Sequence, residues 1–392
     1  MIVYEMLQQS AYTYADKTAL VYGNEAVTYS ELKKRVDSLQ KSLRKKGIEP
    51  TDRVGLILHN SINFVVFLYA LSKNGNIVCL LNAQWSVEDL ERKIVSAKLN
   101  KSIVESYVKK RLEEENSFLC NSDSIILNED CILPGWPDEE DAEAFSSLIE
   151  EEKEAFIQSS SGTTGLSKMA YRTHKNLDLD AHNIVQTMNY TRDDVIFSSV
   201  PLYHGYGLTM GLIAPIRCGA TIWIQRWFDS ITFLKKYEEI KPSVFLGIPE
   251  IYDCLYSELE GKEFDFKYNK WFLCSGAPIS GETGRNFYKV SGIWISQIYG
   301  MMEVSTICAN LNSNEDNFLS VGQPIEQIQL KLKPAKQDDL YEILVKGDTV
   351  SEKYIDGGND YTIPKEEGWF CTKDIGYRKN NDLFLIGRKK ED

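Results

Sequence analysis

One uninterrupted run, 159–168, is the segment best suited to ligand binding or catalysis. It reads Ser-Ser-Ser-Gly-Thr-Thr-Gly-Leu-Ser-Lys. Its glycines let backbone N–H groups turn toward a ligand, its hydroxyls add donors, and Lys168 adds positive charge. This composition is typical of a loop that binds polyphosphate. The run differs from the loop in which Gly-Lys-Ser/Thr opens a helix, because Met169 follows Lys168. A flexible Ser/Gly linker is the alternative.

Four other segments place glycines beside polar and aromatic side chains: residues 201–208, 275–278, 299–303 and 368–377. The first contains His204 and suits the mouth of a pocket. The second reads Ser-Gly-Ala-Pro, and the third, Tyr-Gly-Met-Met-Glu, supplies an aromatic face and a carboxylate. The fourth presents Asp374. The first three follow predicted strands, and open α/β sheets bind ligands at the carboxyl ends of their strands.

Apolar runs and amphipathic helices predict the elements that position these segments. Strands are predicted at 54–58 and 77–81, Ser30 is predicted to cap a helix, and further helices are predicted to begin at Ser86 and His174. The middle of the chain has further apolar runs at 194–200, 220–224, 243–246, 271–274 and 294–298. Strands alternating with helices indicate parallel sheets covered on both faces. From about residue 317, short strands and turns predict a small β-rich subdomain.

Composition excludes several classes of protein. The net charge of −13 over 392 residues argues against nucleic acid as a main partner. The eight cysteines show no metal-binding spacing, and no apolar run is long enough to span a membrane. The first residues lack the features of a signal peptide, so we expect a cytoplasmic protein with reduced thiols. The acidic stretch 113–154 is predicted to be a solvated crossing between subdomains.

The order of the five motifs resembles that of the adenylate-forming superfamily, which includes acyl- and aryl-CoA synthetases, peptide-synthetase adenylation domains and luciferases. The resemblance runs from about Thr28 to the last residue. It implies an α/β fold with two stacked subdomains of mixed or parallel sheet and a small β-barrel-like subdomain. The implied large AMP-binding domain is 1–387, divided into 1–150, 151–316 and 317–387. Residues 388–392 then begin the family's hinge, and its C-terminal lid domain is expected to be absent.

The resemblance also implies roles for individual residues in binding ATP and Mg²⁺. The loop that holds the ATP phosphates corresponds to Ser160, Ser161, Gly162, Thr163, Thr164, Gly165 and Lys168. Catalytic roles are implied for Thr163, Thr164, Lys168 and Glu303, and the metal is implied to bind at Glu303 and Thr164. The adenosine part of ATP is implied to contact Gly276, Ala277, Tyr299, Gly300, Asp374 and Arg388. In the family, the tyrosine stacks on adenine and the aspartate binds the ribose hydroxyls.

The pocket for the substrate acid is implied to include His204, Gly205, Tyr206 and Ser275. A flat aromatic acid such as a dihydroxybenzoate, activated for siderophore synthesis, is favoured. An aliphatic or fatty acid is the alternative, because acyl-CoA synthetases and luciferases have a similar pocket segment. An amino acid is disfavoured, because Gly205 stands where peptide-synthetase domains tend to carry an aspartate. The implied reaction forms an acyl-adenylate, and the acyl group is then transferred to CoA or to a phosphopantetheinyl carrier protein.

The chain departs from the family pattern near three of these motifs. Ser167 and Met169 flank the loop lysine in place of proline and glycine. Met302 replaces a threonine whose hydroxyl often touches phosphate or carboxylate, although aryl-acid ligases often carry an apolar residue there. Lys373 replaces the glycine before the ribose aspartate, and Lys390 stands at the hinge pivot. These departures and the expected absence of the lid leave a non-catalytic nucleotide-binding module as an alternative function.

Overall fold

The structure of the chain is a computed structural model that describes residues 1–117, 149–159, 168–335 and 340–389, together with the backbone of 124–127. Within this part of the chain, no helix is both long enough and apolar enough to cross a membrane. The chain divides into two compact units. The first unit contains Met1–Asp178, Pro201–His204 and Ser351–Thr362, and the second contains Leu179–Val200, Gly205–Val350 and Ile363–Asp392.

Up to residue 188 the elements alternate between helices and strands. They are α1 (Val3–Thr13), β1 (Thr18–Tyr22), β2 (Glu25–Thr28), α2 (Tyr29–Lys45), β3 (Arg53–Ile57), α3 (Ile62–Asn74), β4 (Ile77–Leu80), α4 (Val87–Ser96), β5 (Lys101–Glu105), α5 (Ser106–Glu114), β6 (Ser124–Leu127), β7 (Glu154–Ser159), β8 (Met169–Thr173) and α6 (His174–Met188).

The alternation continues to the last third of the chain, where strands predominate. The elements are β9 (Val195–Ser198), α7 (Gly205–Leu208), a π-helical turn (Thr209–Ile213), α8 (Ala214–Cys218), β10 (Thr221–Ile224), α9 (Ser230–Ile240), β11 (Val244–Gly247), α10 (Pro249–Leu259), β12 (Trp271–Cys274), α11 (Gly281–Ser291), β13 (Ser296–Met301), β14 (Ser305–Ala309), β15 (Gln323–Pro324), β16 (Gln329–Pro334), β17 (Tyr341–Lys346), β18 (Lys353–Asp356), β19 (Asn359–Thr362), β20 (Lys365–Glu366), β21 (Trp369–Lys379) and β22 (Asp382–Arg388).

The first unit is built on a mixed sheet with the strand order β19-β18-β8-β7-β4-β3-β5-β6. The strands from β7 to β6 run parallel, and β8, β18 and β19 continue the sheet in antiparallel pairs. Leu90 and Ile94 of α4 and Val108 of α5 pack against strand residues such as Ile57 and Ile157, and all are buried. This core holds the carboxyl ends of the parallel strands in a fixed position.

The second unit contains two sheets. In the larger one, the strands of this unit follow the order β15-β14-β13-β12-β11-β9-β10. The strands from β13 to β10 run parallel, and β14 and β15 are antiparallel. Its core is aromatic, with fully buried rings that include Phe197, Phe233, Phe245, Tyr252, Phe272 and Phe287. The smaller sheet is antiparallel, with the order β16-β17-β21-β20 and β22 on β21.

The prediction of an α/β fold with two α/β sheets and a small β-rich part is confirmed. Ser86 caps α4 as predicted, since its hydroxyl accepts a hydrogen bond from the Asp89 N–H. The prediction that Ser30 caps α2 is wrong, because Thr28 is the cap and forms a reciprocal capping box with Glu31. The predicted subdomain boundaries at residues 150 and 316 remain predictions.

Two further expectations about secondary structure are corrected. The acidic stretch 113–154 contains a strand, β6, which pairs in parallel with β5. The strand predicted to end at Ile298 continues to Met301, because Tyr299 and Gly300 pair with β14. The Tyr-Gly-Met-Met-Glu motif is therefore partly strand and partly turn, and its backbone is held by strand pairing.

Candidate functional site

The carboxyl ends of the parallel strands of the second unit lie at one edge of the larger sheet, and several predicted site residues follow them. Ser275, Gly276 and Ala277 come directly after β12. Ser275 is buried, and its backbone N–H donates to the carbonyl of Gly247 on the neighbouring strand at 3.4 Å. Gly276 has φ +89°, which turns the chain sharply and leaves Gly276 and Ala277 exposed. The turn therefore presents backbone to solvent at the carboxyl-end edge of the sheet.

Tyr299 and Asp374, which lie far apart in the sequence, are in direct contact. The Tyr299 hydroxyl donates to Asp374 Oδ2 at 2.5 Å. Only 6% of Tyr299 is exposed, and burial, together with the Asp374 charge, raises the pKa of its phenol well above the ordinary value. Burial also raises the pKa of Asp374, although the Tyr299 hydrogen bond and the Arg388 charge oppose that effect. A phenol and a carboxylate are thus held together at the junction of the two sheets.

Arg388 completes this group. It lies directly opposite Asp374 in the β21–β22 pair, with its Nε 3.7 Å from Asp374 Oδ1. The side chain of Arg388 is 63% exposed, so the ion pair contributes little to stability. The exposed guanidinium is accessible to a ligand. Lys373 has φ +64°, in the left-handed region that favours glycine, which accounts for the glycine that the family usually carries there.

Glu303 lies in the tight turn between β13 and β14 and is 5% exposed. The two strands approach closely at Gly300, where a Cβ atom would lie 2.0 Å from the Ser305 carbonyl oxygen. Ser305 has φ +72°, an uncommon value for a residue with a side chain, and its hydroxyl lies 2.9 Å from the Thr209 hydroxyl. Because Thr209 donates to the Gly205 carbonyl at 2.9 Å, Ser305 is the donor in this pair. The hydroxyl pair ties the Glu303 turn to the helical segment that contains Tyr206.

Tyr206 lies in α7 and points into the protein. It is 8% exposed, and its hydroxyl donates to the Leu273 carbonyl at 3.0 Å. The same carbonyl accepts a hydrogen bond from Tyr252 at 2.6 Å, and burial raises the pKa of both phenols well above the ordinary value. Tyr206 therefore lies beside the strand that leads into the Ser275 turn, with its hydroxyl engaged by the backbone.

Lys168 and His204 belong to the first unit. Lys168 is exposed, with its Nζ 5.9 Å from the centre of the Tyr354 ring. His204 is half-buried, and burial lowers the pKa of its imidazole, which favours the neutral ring at pH 7. The His204 segment is held by Asn60, whose Oδ1 accepts from the Leu202 N–H at 2.8 Å. The remaining loop residues predicted to bind phosphate lie outside the described residues: Ser160, Ser161, Gly162, Thr163, Thr164 and Gly165.

Tyr299 and Arg388 both contact Asp374, and ten of the residues predicted from the sequence lie in the second unit: Gly205, Tyr206, Ser275, Gly276, Ala277, Tyr299, Gly300, Glu303, Asp374 and Arg388. The sequence analysis did not identify Asn60, Thr209 and Ser305, whose hydrogen bonds hold segments of the candidate site in place. Asn60 could have been noticed, because it follows an apolar strand at its carboxyl end. Thr209 lies three residues after Tyr206 in a helical segment, and that spacing places both side chains near one face. Nothing local marks Ser305, whose role depends on a contact 96 residues away in the sequence.

Comparison with known proteins identifies the family of the chain. Residues 7–355 match the family of AMP-binding enzymes. The long-chain-fatty-acid–CoA ligase of Bacillus subtilis is 25% identical over an alignment of 427 residues. The alignment covers 99% of this chain and 76% of the relative. 4-Coumarate–CoA ligase 2 of Petroselinum crispum is 25% identical over 404 residues, which cover 96% of this chain and 73% of the relative.

The fold is also that of a solved structure. The crystal structure of ATP-bound MatB from Rhodopseudomonas palustris superposes with a TM-score of 0.85 at 21% identity, covering 99% of this chain and 79% of MatB. The match to the family spans most of the chain. The chain therefore belongs to the AMP-binding enzyme family and is an adenylate-forming ligase of the acid–AMP and acid–thiol type.

Proposed function

We propose that the enzyme activates a carboxylic acid with Mg·ATP as an acyl-adenylate, and that the sulfur of CoA then attacks the acyl carbon, forming the thioester as AMP leaves. An oxygen of the substrate carboxylate attacks the α-phosphorus, the bond from that phosphorus to the bridging oxygen breaks, and pyrophosphate leaves with the electron pair. The observation that carries the proposal is the contact between Tyr299 and Asp374 beside Arg388. In the adenylate-forming superfamily, residues at these motif positions bind the adenosine of ATP.

Each residue of the group has a distinct part in the proposed reaction. The Tyr299 ring stacks on adenine, the Asp374 carboxylate accepts hydrogen bonds from the ribose hydroxyls, and Arg388 offers charge to ribose or phosphate. Lys168 neutralises charge on the phosphates as pyrophosphate leaves. The protein forms no covalent bond with the substrate, so alignment and charge neutralisation account for the rate.

Magnesium is the metal that the carboxylate chemistry of Glu303 suits, because Mg²⁺ prefers oxygen ligands and commonly binds through one or two carboxylates plus phosphates and water. When bound, the ion neutralises phosphate charge. In the described ranges, no group of three or more His, Cys, Asp or Glu side chains is placed to hold a metal ion. Glu303 would therefore hold the ion together with ATP oxygens and water, and Thr164 is proposed as a further ligand.

For the acid, we propose a flat aromatic compound such as a dihydroxybenzoate, which would suit a siderophore pathway. The segment with His204, Gly205 and Tyr206 and the nearby Ser275 supports an aromatic acid. An aliphatic acid is the alternative, and the similarity to the long-chain-fatty-acid–CoA ligase of Bacillus subtilis supports it. CoA is the proposed acceptor, since both relatives above are CoA ligases, and a carrier protein is the alternative. The free cysteines of the described part of the chain support a reducing, cytoplasmic setting.

The test is pyrophosphate release by the purified chain with ATP, magnesium and a panel of aromatic and aliphatic acids, beside calorimetry with the same compounds. Release that depends on one class of acid supports the proposal and identifies the class. Binding of ATP without release for any acid contradicts the proposed reaction. CoA and an acylatable carrier protein, added in parallel reactions, distinguish the two acceptors.

A further inference from the structure

The hydroxyl group of Tyr299 has no part in the reaction described above, yet it makes a close contact with Asp374. Tyr299 belongs to β13 of the larger sheet, and Asp374 belongs to β21 of the smaller one. Their O–H···O distance of 2.5 Å is at the short end for hydrogen bonds to a carboxylate. The ring alone would suffice for stacking on a base, so the hydroxyl calls for a separate explanation.

The hydroxyl helps to fix the orientation of the Asp374 carboxyl group. Tyr299 occupies one position on Oδ2, and Arg388 lies 3.7 Å from Oδ1 on the other side. The Asp374 N–H donates to Thr372 Oγ1 at 3.1 Å, and Thr372 donates to the Ile343 carbonyl at 2.8 Å. A carboxylate offers about four acceptor positions, so these contacts leave positions on both oxygens for a ligand with two adjacent hydroxyls.

We propose that the Tyr299 hydroxyl is a positioning group that orients Asp374 toward the 2′ and 3′ hydroxyls of the nucleotide, and that it thereby sets the preference for a ribonucleotide. This inference rests on the proposed function, which assigns the ribose to Asp374 and the base to the Tyr299 ring. Loss of the hydroxyl leaves the ring in place but frees the carboxyl group to rotate. The change should therefore weaken the binding only of ligands that carry the two sugar hydroxyls.

The test compares ATP with 2′,3′-dideoxy-ATP by calorimetry on the full chain and on Tyr299→Phe, which keeps the ring. The wild type should bind ATP more tightly than the dideoxy analogue. In Tyr299→Phe, the Kd for ATP should rise about fivefold, the size that corresponds to one net hydrogen bond, while the Kd for the analogue should not change. Tyr377→Phe is the matched control, because Tyr377 lies on the same strand as Asp374 and its ring stacks on Phe384 with 5.1 Å between centroids. It should change neither Kd.

Several results would overturn the inference. An unchanged ratio of the two Kd values in Tyr299→Phe, whether neither value moves or both rise equally, shows that the hydroxyl has only a structural role. The double variant Tyr299→Phe/Asp374→Ala should bind ATP no more weakly than Asp374→Ala alone, and an additive loss contradicts the coupling of the two residues. If the wild type does not bind ATP, the proposed function fails and the inference fails with it. If the wild type binds ATP and releases pyrophosphate while the ratio is unchanged in Tyr299→Phe, only the inference fails.

Discussion

Gly300 offers a direct test of how tightly the turn that carries Glu303 is built. A Cβ atom at this position would lie 2.0 Å from the Ser305 carbonyl oxygen and 3.0 Å from the carbon of that group. Normal packing keeps such atoms well over 3 Å apart, so Gly300→Ala requires β13 and β14 to separate by about 1 Å or more. The obstacle is backbone, which cannot rotate away as a flexible side chain can.

The expected cost follows from that geometry. Adding a methyl group to a well-packed site usually costs about 1–3 kcal/mol, and we expect about 3 kcal/mol here because the strands themselves must move. Ser305 already has φ +72° and a hydrogen-bonded hydroxyl, so the turn has little freedom to adjust. The shift would also displace Glu303, and pyrophosphate release should therefore fall together with stability.

Gly387→Ala is the matched control. No atom lies within 4 Å of a Cβ atom built at Gly387, and the residue lies in β22 without a positive φ. Such a change is expected to be neutral or to stabilise by about 0.4–1 kcal/mol. Urea unfolding followed by fluorescence measures both variants, and pyrophosphate release is measured alongside. A Gly300→Ala protein with the unfolding midpoint of the wild type would refute the reasoning about the close strand approach.

Three further results are expected. Lys168→Ala and Glu303→Gln should each cost about 2–4 kcal/mol of transition-state stabilisation, measured as kcat/KM for ATP, and wild-type activity of Glu303→Gln at limiting magnesium would contradict the metal assignment. Asp374→Ala should raise the Kd for ATP but not for pyrophosphate in calorimetry; a wild type that binds ATP and its dideoxy analogue equally would remove Asp374 from the site. Burial raises the pKa of Asp194, but a hydrogen bond from Lys270 at 2.7 Å and other donors more than offset it, so the net pKa is lowered. The stabilisation by Asp194 is therefore present at neutral pH and lost as the pH falls below about 4, and urea unfolding of Asp194→Asn should show a weaker acid dependence than the wild type.

Local patterns in the sequence predicted most of the elements, because helices and strands depend on nearby residues. The apolar run 271–274 coincides with β12, and Ser86 caps α4 as expected. The error at Ser30 has a physical cause: Thr28 with Glu31 three residues later makes two reciprocal hydrogen bonds, whereas a single hydroxyl makes one. Local sequence therefore contained the correct signal, and the capping box is the pattern that identifies it.

The contacts within the site could not be predicted in the same way. The hydrogen bond between Tyr299 and Asp374 joins residues that lie 75 positions apart on two sheets. Nothing in the local sequence around either residue indicates its partner. The resemblance to a family placed both residues at one ligand but did not place them in contact. The left-handed backbone at Lys373 could not be predicted from the lysine itself, and only the resemblance, which places a glycine there, indicated a positive φ.

The return of the chain to the first unit has a consequence for synthesis on the ribosome. β8 is covered on its outer edge by β18, which is followed by β19, and Lys353 of β18 also pairs with Glu154 at 2.7 Å. These covering strands follow β8 only after roughly 180 residues, which take roughly 10–40 s to synthesise at about 5–20 residues per second. During that interval a nascent chain exposes an unpaired strand edge, which is a template for aggregation. Co-expression with a chaperone that covers strand edges should therefore improve the soluble yield of this protein more than changes to its surface charge.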